Sequence, residues 1–69
     1  MKETLHNELK RHRQDRKMTQ QDLAELAGVS RQSIISIERG RYVPSLPLAL
    51  RLASVFDCPV ENIFRLEEH

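Results

Sequence analysis

Between Arg31 and Arg39 the sequence RQSIISIER sets Ile34 and Ile37 three residues apart, a spacing that stacks side chains on one face of a helix. At about 100° per residue, the opposite face carries Gln32, Ser36 and Arg39, with Ser33 and Ile35 on its flanks. Arg31 lies nearer the apolar side, but in the first turn, where a long side chain still reaches forward. A short, polar helix face of this kind is what a helix lying in a DNA major groove requires, because amide and hydroxyl groups hydrogen-bond to base edges. No comparable arrangement supports catalysis. His6, His12 and Cys58 form no nucleophile–base pair, no metal-ligand spacing occurs, and no glycine-rich phosphate loop is present. The chain is read as a non-enzyme that uses no cofactor, metal or small-molecule ligand.

Charge agrees with a polyanionic partner once it is divided along the chain. The net charge is only +1, yet residues 10–41 carry eight Lys/Arg against four Asp/Glu, whereas residues 42–69 carry two against four. Such asymmetry sets aside one face for nucleic acid and another for something else. At 69 residues the chain is expected to form one domain, of modest core and helped by self-association. It has no membrane-length apolar run and no charged-then-apolar leader, and its lone cysteine forms no internal disulfide. A soluble, cytoplasmic protein is expected.

The elements that must position the polar face are punctuated by caps, glycines and prolines. Leu5 and Leu9, one turn apart, predict a first helix from Thr4, as N-cap, to about Arg16. Thr19 followed by Asp22 resembles a capping box, opening a second helix that Gly28 ends. Ser30 caps the third helix, closed by Gly40. Two short helices joined by so tight a turn must cross at a large angle. Ser45 caps a fourth helix with Pro47 in its first turn, and Cys58-Pro59 starts a short fifth. No strand alternation or repeat stands out. The expectation is an all-α, compact five-helix domain.

The segment TQQDLAELAGVSRQSIISIERGRYVPSL resembles the Cro/CI-type (XRE, xenobiotic-response-element) helix-turn-helix regulators of bacteria and phages. The resemblance runs from about Asn7 to Phe64 and is to minimal, single-domain members. It implies a lambda-repressor-like fold with the helix-turn-helix at about residues 20–39, on helices 2 and 3. It implies sequence-specific binding of double-stranded DNA and a role as a transcriptional regulator, as a rule a repressor. Carried over residue by residue, the base-contacting candidates are Arg31, Gln32, Ser33 and Ser36, while Gln20, Arg39, Arg41 and Tyr42 are candidates for phosphate. Some of Lys10, Arg11, Arg16 and Lys17 join the second group or form a solvated face. Arg31 and Ser33 also admit a role confined to capping or solvating the first turn. Arg13 and Glu38 correspond to a pair that ties helix 1 to the end of the recognition helix.

Three positions depart from the family pattern. His12 stands where an apolar residue is usual, and reads as a half-buried, hydrogen-bonded histidine or as a pH-sensitive core group. Ile35 either touches a thymine methyl or packs at the core's edge. Cys58 replaces a capping Ser or Thr, and is either a plain substitute or an oxidisable thiol.

One such domain makes few contacts, and relatives bind pseudo-palindromes as dimers with half-sites one helical turn apart. A homodimer is therefore expected, held by residues 57–69 through Val60, Ile63, Phe64 and Leu66. On that expectation Phe64→Asp leaves a folded monomer. An antitoxin-type repressor, and an interaction module that has lost DNA binding, are the alternative functions.

Overall fold

The computed structural model describes residues 3–68; His69, to which the sequence assigns no role, lies outside them. The order of elements is β1 (Glu3–Asn7), α1 (Leu9–Asp15), α2 (Gln20–Ala27), α3 (Arg31–Glu38), α4 (Leu46–Val55), a 3-10 turn (Val60–Asn62) and β2 (Phe64–Glu68). The two strands pair antiparallel, Leu5 opposite Leu66 and Asn7 opposite Phe64.

The five-helix, all-α expectation is thereby corrected: among the described residues there are four helices, one 3-10 turn and a two-stranded ribbon. The first helix begins at Leu9, not at a Thr4 cap. Leu5 and Leu9 are four residues apart, which is one helical turn but also two strand repeats, so the spacing does not discriminate. Pairing with the distant C-terminal segment selects the strand. There Phe64 and Leu66 alternate with Arg65 and Glu67, the period-2 pattern of a strand. The expected fifth helix is one 3-10 turn whose N-cap is Pro59. Cys58 belongs instead to the end of α4, its amide donating to Ala53 O at 3.1 Å.

Local chemistry accounts for the remaining boundaries. Ser30 and Ser45 accept from the amides of Ser33 and Leu48, at 3.2 and 3.3 Å, satisfying donors that a helix start leaves orphaned. Gly28, at φ 72°, lets α2 turn directly into the approach to α3. The core consists of Leu9, Leu23, Ala24, Ala27, Ile34, Ile37, Leu48, Ala49, Leu52, Ala53, Phe56, Ile63 and Phe64. Ala24 is fully buried where α2 meets α3, and a larger side chain there would push the two helices apart.

The capping box on α2 is complete: Thr19 Oγ1 accepts from Asp22 N, and Asp22 Oδ2 accepts from Thr19 N, both at 2.9 Å. Hydrogen bonds from the Thr19 backbone, then from its hydroxyl, hold the Asp22 carboxyl below its ordinary value of 3.8. A carboxyl whose pKa is lower in the folded chain stabilises the fold above its unfolded-state value and loses that contribution as pH falls through the folded one. Asp22→Asn is therefore expected to lower Tm at neutral pH, the gap to the parent protein closing as pH drops below 3.8. Thermal melts from pH 7 to pH 2 check this; a gap unchanged in strong acid would refute it.

Candidate nucleic-acid interface

Helix α3 is fastened on its inner side and left open on its outer one. Ile34 and Ile37 are fully buried, whereas Arg31 and Gln32 are exposed and Ser33, Ile35 and Ser36 are half-buried. Both ends of α3 are tied down. At its N-terminus the Ser30 hydroxyl accepts from Ser33 N and lies 3.1 Å from the Ser33 hydroxyl. At its C-terminus Asn7 Nδ2 donates to Ile37 O at 3.0 Å, joining the helix to the ribbon. Ser33 thus takes part in the cap while its side chain also lines a shallow groove with Gln32, Ser36 and Tyr42.

An ion-pair cluster beneath the helix-turn-helix holds three helices in register. Arg13 Nε and Nη2 donate to Glu38 Oε2 and Oε1 at 2.7 and 3.2 Å, a two-pronged contact between nearly buried side chains. Arg13 Nη1 also donates to Met18 O at 2.9 Å, and Gln20 Nε2 to Glu38 Oε1 at 3.2 Å. Gln20, expected at a phosphate, therefore directs its amide nitrogen inward to Glu38, although its side chain still lines the groove at the start of α2.

Pairing sorts the basic residues of the 10–41 stretch into two sets. Arg11 faces Glu8 and Asp15, each at 3.6 Å. Arg16 donates to Phe56 O at 2.8 Å with its guanidinium 5.6 Å over the Phe56 ring, so it is part of the architecture. Lys10, Lys17, Arg31, Arg39 and Arg41 make no ion pair or side-chain hydrogen bond among the described residues. Lys10, Lys17 and Arg31 line one groove with Gln20 and Gln21 at the start of α2. A helix N-terminus ringed by free cations favours an anion. Sequence reasoning did not separate Lys10 and Lys17 from Arg11 and Arg16, because separating them requires knowing which carbonyls and carboxylates lie within reach.

The departures from the family pattern are also placed. His12 is half-buried, its Nε2 3.2 Å from Asn62 O and its ring centroid 5.5 Å from that of Phe56. Of the C-terminal residues expected at a partner, Ile63 and Phe64 lie within the chain's own core, Val60 is half-buried and Leu66 is exposed. Phe64 belongs to the same buried core cluster as Leu9 and Ile63, at the end of the ribbon where it pairs with Asn7. Among the described residues no helix is long and apolar enough to cross a membrane.

Comparison with known proteins agrees with this geometry. Residues 9–63 match the helix-turn-helix family. An uncharacterized HTH-type transcriptional regulator of Methanocaldococcus jannaschii is 50% identical over 62 residues, covering 90% of this chain and 94% of that one. The immunity repressor protein of Bacillus phage phi105 is 40% identical over 60 residues, 87% of this chain but 42% of its own length. The restriction-modification controller protein C.AhdI of Aeromonas hydrophila superposes with a TM-score of 0.74 at 31% identity, over 78% of this chain and 82% of that one. With a nearly buried ion pair joining α1 to α3, an open polar face on α3, and these relatives, the chain belongs to the helix-turn-helix family of DNA-binding transcriptional regulators, in its Cro/CI-type (XRE) branch.

Proposed function

We propose that this regulator binds a pseudo-palindromic operator as a homodimer and represses transcription from it, its own gene being one target. The observation that carries this reading is the set of five unpaired cations, Lys10, Lys17, Arg31, Arg39 and Arg41, accompanying the open polar face of α3. Phosphate contacts from Lys10, Lys17, Arg39 and Arg41 fix the position of the duplex, and base contacts read it. Arg31 is assigned to guanine, Gln32 to adenine, and Ser36 with Ser33 to either, each good pair contributing roughly 1–3 kcal/mol of discrimination. Tyr42 borders the same groove and, with Arg39 and Arg41, supplies backbone contacts. The repressor role is favoured by the likeness to a phage immunity repressor.

Selection from a random duplex pool at two salt concentrations tests the proposal, and an enriched inverted repeat is the expected result. Gln32→Ala should then relax preference at one base pair of each half-site, by about 1–3 kcal/mol. Arg41→Ala should weaken all sequences alike and reduce the slope of log K against log salt by about 1 per protomer. No enrichment by protein shown to be folded would overturn the reading.

A further inference from the structure

The described residues include six large apolar side chains left exposed, Leu26, Tyr42, Val43, Leu46, Leu50 and Leu66. Four of the six fall within residues 42–50, YVPSLPLAL, the longest stretch of the chain without a charged residue. Leu46 and Leu50 lie one turn apart on α4, away from buried Leu48, Ala49 and Leu52, and Val43 precedes them in the approach to the helix. Their exposures are 66, 51 and 68%. Resting on the homodimer reading above, we infer that Val43, Leu46 and Leu50 form the face on which a second copy of this chain docks.

Two arguments select a second copy as the occupant. A two-fold interface brings a patch against itself, so any net charge on it meets its own sign. The 42–50 stretch carries no charge of its own, Arg41 and Arg51 standing at its two ends, whereas Leu26 lines a groove with Asp22 and Glu25, and Leu66 sits between Arg65 and Glu67. The patch also adjoins the reading surface: Tyr42 lines the groove with Gln32 and Ser36 and is followed directly by Val43. A two-fold axis beside it would keep both α3 helices near the centre of the dimer, as neighbouring half-sites of an inverted repeat require. Three aliphatic side chains at these exposures present on the order of 300 Å² of apolar surface, below the ~800 Å² per partner of a standard interface. The dimer is accordingly weak in free solution and is completed on DNA.

The test is sedimentation of the full chain over a range of concentrations, alone and on the duplex enriched from the random pool. Leu46 is the first residue of α4, where an introduced carboxylate is favoured by the helix dipole, so Leu46→Asp should keep its helical circular dichroism. It should raise the dimer dissociation constant at least tenfold and bind the inverted repeat as single protomers, and Leu50→Lys should do the same. Leu66→Asp should dimerise as the parent does. Parent-like dimerisation of both folded α4 variants would overturn this face while leaving the homodimer standing, as would loss of dimers in Leu66→Asp alone. A parent protein monomeric both free and on the selected duplex would overturn the homodimer and this face together.

Discussion

Glu38→Ala is expected to cost about 3–5 kcal/mol of stability, because it leaves the Arg13 guanidinium nearly buried without its carboxylate. The side chains of Arg13 and Glu38 are 11 and 4% exposed, so water does not replace the lost partner. A chain of 69 residues has a total stability of roughly 3–10 kcal/mol at 0.05–0.15 kcal/mol per residue. The single substitution therefore removes much or all of it. Gln20 loses its acceptor on Glu38 as well, and with it the bridge between the start of α2 and the end of α3. Urea denaturation followed by circular dichroism measures the loss. The double variant Arg13→Met, Glu38→Leu should recover much of it, since apolar replacement of both partners removes the uncompensated charge. A single-variant cost below about 1 kcal/mol would mean that the pair contributes no more than a surface contact. DNA specificity of whatever fraction stays folded should be unchanged, because neither residue belongs to the open face of α3.

Phe64→Asp is expected to unfold the protein rather than yield a folded monomer. Phe64 is buried in the core, opposite Asn7 in the ribbon. Deleting a buried phenylalanine costs roughly 3–5 kcal/mol, and the carboxylate placed there adds a desolvation penalty. The sum is comparable with the whole stability of so small a domain. Loss of helical circular dichroism at 25 °C is the expected result; a helical, monomeric Phe64→Asp protein would return this residue to a partner interface. The contrast with Leu46→Asp is direct: both introduce a carboxylate at an apolar residue, one inside the core and one on the open side of α4.

The helix-turn-helix was legible because its determinants are local. Thr19 with Asp22, Gly28, Ser30 and the Ile34–Ile37 spacing each act within a few residues, through hydrogen bonds and dihedral preferences that any reader of the chain can place. The Arg13–Glu38 contact follows from the family resemblance at these two positions, and its two-pronged geometry is explicit in the structure. The polar face of Gln32 and Ser36 follows from helical periodicity alone.

What only the tertiary structure decided depends on groups far apart in sequence. Glu3–Asn7 is a strand because Phe64–Glu68 lies beside it, and a four-residue repeat of leucine does not announce a partner some sixty residues away. That same pairing accompanies burial of Phe64 in the core while Arg65, Leu66, Glu67 and Glu68 stay exposed, a division that apolar composition alone does not reveal. The division of the cations is likewise non-local: Arg16 reaches the carbonyl of Phe56, while Lys17 beside it reaches nothing among the described residues. Short-range hydrogen bonding and periodicity fixed α2, α3 and α4 and the polar face of α3, and long-range packing decided the two ends of the chain and which side chains remain open to solvent.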